Sequence, residues 1–174
     1  MPPFADYCTR VEDRLEHHYH IHIVTRDIPD PLTGDLDGAE IHLDYALTPD
    51  QRLFLLAHLF GHTVQWDLDP HAFDLGKLQQ PPVDEPRLAA ILDYEREAAA
   101  YGLSLLHESG VTTVDGWFSD YSACDLAYLL HFYRTGEKRG FQSFWRDHVP
   151  PVAPRVVPPF TPTRRVFRLN GVVI

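Results

Sequence analysis

Cysteine is scarce in this chain of 174 residues: there are two, Cys8 and Cys124, far apart and in no metal-type spacing. That leaves no disulfide framework and no thiolate cluster, and a reduced, cytoplasmic setting is expected. Positive charge is short as well. Fifteen Lys and Arg against 25 Asp and Glu give a formal charge of −10, whereas nucleic acid and anionic membranes both call for a basic surface. Neither is expected as a partner. No apolar run approaches the ~20 residues of a membrane span, and the opening MPPFADYCTRVEDR has no basic segment leading into an apolar one, so no signal peptide is expected. Phosphate-binding glycine loops, a nucleophile elbow and a dinucleotide fingerprint are all missing, and no internal repeat is evident.

What is present suits one globular domain with a tail: 44% apolar and 23% charged residues, enough chain to bury a core. Residues 4–18 place Phe4, Tyr7, Val11 and Leu15 at helical spacing. YHIHIVT (19–25) and AEIHLDY (39–45) alternate as strands, with the Asp-, Pro- and Gly-rich stretch between them read as a loop. Thr48-Pro49-Asp50 starts a helix running to about Trp66. Residues 66–86, with four prolines, read as irregular. Helices are expected at 84–108, 116–133 and, shortly after, over FQSFWRDH. From Val149 onward PPVAPRVVPPFTPTRR carries six prolines and reads as an extended arm, and VFRLNGVVI could close as a hairpin on Asn170-Gly171. The expectation is a mostly helical α+β domain over 1–149 with a small N-terminal β-sheet, and a Pro-rich extended arm over 150–174.

The chemistry gathers on the helix 49–66, where His58 and His62 stand four apart and project from one face. Two neutral imidazoles so spaced can reach one zinc ion, as in the H-E-x-x-H helix of zinc peptidases. A zinc site needs at least a third protein ligand. Helix 84–108 offers one. Its apolar stripe runs Leu88, Ile91, Leu92, Ala98, Ala99, Gly102, Leu105 and Leu106, and the missing member is Glu95. A carboxylate on a core-facing stripe costs several kcal/mol, as a rough figure, unless it is paired or metal-bound. Glu97 falls instead on the polar side with Asp93, Ala100 and Ser104.

AHLFGH, followed some thirty residues later by EREAAAYGLSLL, resembles the ImmA/IrrE family of zinc metallopeptidases in the order and spacing of its motifs. The likeness covers roughly residues 4–108 and implies a zincin-like fold for the domain over 1–149. It implies Zn2+ held by His58, His62 and Glu95. It also implies a general-base glutamate after the first histidine, taking a proton from zinc-bound water. Here that position is Leu59, and the family's frequent Asn is Ala99. Leucine cannot accept a proton, so the family's peptide hydrolysis is not expected, although metal binding is.

Replacement acid or base groups are sought in the loop after the central helix, at Asp67, Asp69, His71 and Asp74, and at Tyr101 or Tyr94 beside Glu95. Turn formation, capping and aromatic packing account for the same residues. Gln65, one turn beyond His62, could orient a ligand. His17, His18, His20 and His22 read as solvated or structural histidines rather than a second metal site. Three functions follow. One is a metalloenzyme using zinc as a Lewis acid on a small-molecule or peptide substrate. The second is a catalytically silent relative whose zinc holds the fold and whose surface binds another protein. The third is a true protease with an unrecognised base.

Overall fold

The computed structural model describes residues 1–77 and 80–165; the hairpin expected over VFRLNGVVI lies outside them. Among the described residues five helices and a three-stranded sheet make up the α+β and mostly helical arrangement that the sequence implies. Helix α1 (Phe4–Arg14) runs on through a wider π turn, Leu15–Tyr19, until His20 turns left-handed at φ 58°. Strand β1 (His22–Arg26) therefore begins three residues later than the alternation in YHIHIVT suggests.

Two elements lie where the sequence reads as loop. Gly34–Leu36 is a strand, β2, and Pro70–Leu75 a short helix, α3. Strand β3 (Glu40–Asp44) is central, parallel to β1 and antiparallel to β2. The β2–β3 link is closed by Asp37, whose Oδ1 accepts from the backbone N–H groups of Ala39 and Glu40 at 2.9 and 2.7 Å. Gly38 takes φ +95° there, a conformation open to glycine and strained for other residues.

Helix α2 (Pro49–Leu68) begins at Thr48, whose N–H donates to Gln51 Oε1 at 3.0 Å. Every residue from Leu53 to Trp66 is buried, so α2 is the core of the molecule rather than an amphipathic cover. Ile41 and Leu43 of β3 contribute to the same cluster, as do Val11 and Leu15 from the N-terminal helical run. Helix α4 (Glu85–Glu108) is capped by Asp84 Oδ1, which accepts from Arg87 N–H at 2.9 Å, and ends at Ser109-Gly110. Helix α5 (Asp115–Thr135) packs on α4. The short helix expected over FQSFWRDH is confined to a 3-10 turn, Phe141–Phe144.

The crossing of α2 and α4 sets the position of the candidate site. A Cβ added at Gly61 would lie 2.1 Å from the carbonyl oxygen of Ala98, and one at Gly102 would lie 2.7 Å from that of Ala57. Two glycines thus let the helix backbones touch, and Gly61 stands between His58 and His62.

Residues 149–165 lie extended along the domain. Val149 and Val152 donate from their backbones to Asp120 Oδ1 and Ser119 Oγ. Arg155 N–H donates to the Ala100 carbonyl, and the Ser104 hydroxyl donates to the Arg155 carbonyl at 2.6 Å. Ser104 is buried for this reason, although it sits on the helix face that reads as solvent-exposed. Farther on, Thr163 and Arg165 donate backbone N–H groups to the carbonyls of Gly38 and Asp37. No helix among the described residues is long and apolar enough to cross a membrane.

Candidate metal centre

The close crossing brings His58 and His62 of α2 against Glu95 of α4. His62 Nε2 lies 3.2 Å from His58 Nε2 and 3.2 Å from Glu95 Oε2, and the remaining edge, His58 Nε2 to Glu95 Oε2, is 3.8 Å. Tetrahedral zinc with bonds of ~2.0–2.1 Å sets its ligand atoms about 3.3 Å apart. The triangle fits that ion with little adjustment. Among the described residues these three form the set of metal-type side chains whose ligand atoms lie within 4.8 Å of one another.

Protonation favours the same use. Gln65 Nε2 donates to the Tyr94 carbonyl at 2.9 Å and to Glu97 Oε1 at 3.1 Å, which leaves Oε1 as the amide atom facing His62 Nδ1, at 2.9 Å. An acceptor there holds a proton on Nδ1, and Nε2 is the ring nitrogen that faces the centre. Burial, with the neighbouring His62, pushes the His58 imidazole down to about 3 against the opposing influence of Glu95. Burial raises the Glu95 carboxyl, but His62, by charge and hydrogen bond, and His58 outweigh it and hold the group below its usual value. Two imidazole nitrogens and one carboxylate are a zinc donor set.

The walls are aromatic. Phe54 stacks on His58 at 5.4 Å between centroids, and Tyr94 stacks on His62 at 4.4 Å. The Tyr94 hydroxyl accepts from Trp66 Nε1 at 2.8 Å, which holds that ring in place. The side chains of His58 and His62 are 6% and 5% exposed and that of Glu95 is 13%, so the centre is nearly closed to solvent. Leu59 is fully buried, with Cδ1 set against Gly34 of β2. The flank where the resemblance would put a base is packed hydrocarbon.

The other residues singled out from the sequence are engaged elsewhere. Asp67 Oδ1 accepts from Thr163 N–H at 3.1 Å and lies 3.8 Å from the Arg165 guanidinium, and burial pushes its carboxyl up to about 6. Asp69 caps α3 by accepting from His71 N–H, and the His71 side chain belongs to an exposed residue. Asp74 pairs with Lys77 at 2.7 Å. Tyr101 is buried under the Arg155 guanidinium, 5.5 Å from its ring. His17 and His22 sit beside Asp13 and Glu16 on the surface.

Two residues near the centre escape a reading of the sequence alone. Glu97 accepts from Gln65 and pairs with Arg155 of the arm, and nothing in its polar setting along the helix signals that role. Asp125 on α5 is 3% exposed. Its signal was present: Phe118, Tyr121, Asp125 and Tyr128 are spaced by three, four and three, which puts a carboxyl on an aromatic stripe just as Glu95 sits on an apolar one.

No family model matches this chain, and no curated protein matches it. A solved structure with some likeness is a Mycobacterium tuberculosis transcriptional regulator, 15% identical with a TM-score of 0.35, matched over 79% of this chain and 39% of that one. The chain thus spans well under half the length of that regulator.

Proposed function

We propose that the protein holds one zinc ion per chain on His58, His62 and Glu95, as a relative of the ImmA/IrrE metallopeptidases that lacks their peptidase chemistry. The observation that carries this reading is the triangle of ligand atoms with edges of 3.2, 3.2 and 3.8 Å, joining two helices inside the core. Zinc on such ligands supplies Lewis acidity and a cross-link between elements. The chain's own contribution is orientation: Gln65 sets the His62 tautomer, and Tyr94 and Phe54 hold the two rings. Leu59 provides no proton acceptor.

A fold-holding ion is the favoured role, with the outer surface left to bind a protein partner. The low exposure of all three ligands supports it, because a substrate would have little room to reach them. The second reading is an enzyme acting on a small molecule or peptide. It draws on the fact that three protein ligands leave one position of a tetrahedral ion open, and on Glu95 being the most exposed of the three.

Elemental analysis of protein purified without added metal should find one zinc per chain, lost in His58→Ala and Glu95→Ala. Undiminished metal in those variants removes the assignment. Chelator-sensitive cleavage of casein by the unaltered protein would restore the peptidase and overturn the reading of Leu59.

A further inference from the structure

Asp125 is hard to account for as a structural residue. Its Oδ1 is buried and has no hydrogen-bond partner among the described residues. A buried carboxyl oxygen left without a partner costs on the order of a few kcal/mol. The neighbouring α5 residues locate it. Phe118 and Tyr121, on the same helix face, both meet Phe54 of α2, Tyr121 stacking at 4.0 Å and Phe118 lying at 5.8 Å, and Phe54 in turn stacks on His58. Asp125 is one turn beyond Tyr121. Burial, and after it the negative charge of Glu95, pushes its carboxyl well above the ordinary range. It nevertheless stands outside the set whose ligand atoms lie within 4.8 Å of one another.

A dication on two neutral imidazoles and one carboxylate keeps one unit of positive charge. In a site this closed an uncompensated charge is costly, and buried charges occur paired. One further carboxylate makes the centre neutral. From these observations we infer that Asp125 is a fourth member of the metal centre, an outer carboxylate that compensates the charge of the bound divalent cation. The same ion explains why an unsatisfied acid is kept in an aromatic stripe: the cation is its missing partner. Asp125 is thus a positioning and charge-balancing residue, and it acts on the ion from beyond the three ligands.

The inference rests on the zinc reading above, and one experiment separates the two. Zinc(II) and cobalt(II) affinities of the full chain are measured by competition with a chromophoric chelator, for the unaltered protein, Asp125→Asn and Asp125→Leu. Melting temperatures are recorded with chelator and with metal. Both variants should lose about 10–100-fold in affinity, the usual effect of removing a group that supports a metal site from outside. Both should melt no lower than the unaltered chain when metal is removed, since an unpaired buried acid has gone, and should gain less stability when metal is added. Affinity within twofold of the unaltered protein in both variants would overturn the role of Asp125 while leaving the zinc site standing. Failure of the unaltered chain to bind either metal would overturn both.

Discussion

Gly61→Ala is the substitution that tests the architecture most directly. In an ordinary helix interior, replacing glycine by alanine stabilises by about 0.8–1 kcal/mol. Here the new methyl would sit 2.1 Å from the Ala98 carbonyl oxygen and 2.7 Å from the Ala98 carbonyl carbon and Cα. These are backbone atoms of a packed helix and cannot swing aside, so α2 and α4 must part by roughly an ångström to regain normal contact. Overpacking of this kind costs about 1–3 kcal/mol, and a backbone clash belongs at or beyond the upper end. The clash outweighs the gain in propensity, leaving a net loss of about 2 kcal/mol. For a chain of this size that is a fall in melting temperature of roughly 4–8 °C. Parting the helices also widens the 3.2 Å edge between His62 and Glu95, so zinc affinity should fall with stability. Thermal melts in chelator, and a zinc titration by chelator competition, measure the two effects separately. A Gly61→Ala protein that melts at or above the parent temperature and binds zinc normally would refute the close crossing, because propensity alone would then be acting.

Three further outcomes follow from the geometry. Gln65→Ala should leave the fold intact but lower zinc affinity about 10–100-fold, because the His62 tautomer loses its acceptor; an unchanged affinity would show that the amide is only packing. Leu59→Glu should not rescue hydrolysis: it buries a carboxylate against Gly34 and should destabilise by several kcal/mol as a rough figure, read as a drop in the urea midpoint with no casein cleavage. Asp67 is raised from an unfolded value near 3.8 to about 6, so between those pH values the folded state binds more proton than the unfolded one. Its contribution to stability is greatest below about pH 4 and is lost as pH rises to 6. The difference in urea stability between the unaltered chain and Asp67→Asn should change across that window and be flat above it, and a difference flat throughout would refute the assignment.

The parts of the fold that could be read from sequence are those where a side-chain pattern and a backbone pattern agree. Thr48-Pro49 opens α2 and Asp84 caps α4 where expected, since capping chemistry is local. Glu95 was legible as a break in an apolar series. Strand β2 was not, because Gly34 and Asp35 carry turn chemistry and become strand only by pairing with β3, whose register no local signal gives. Ser104 read as exposed because its cover, Arg155, is supplied from far along the chain. Asp125 is hard to read from the sequence for a different reason. Helix α5 offers two aromatic series, one through Cys124 and one through Asp125, and hydropathy favours the cysteine. Both residues are in fact buried.

The burial of the centre has a kinetic consequence. The side chains of the two histidines are 6% and 5% exposed and lie within a stretch of α2 that is buried at every position from Leu53 to Trp66. A chelator the size of EDTA cannot reach an ion held there through the resting structure. Exchange must wait for a local opening in which α4 lifts from α2, and such openings are rarest in the core. The rate of zinc removal should therefore climb with chelator concentration only until opening becomes limiting, then level off. The plateau would be the opening rate of the α2–α4 crossing itself, so a bound metal would serve as a clock for the motion of the core.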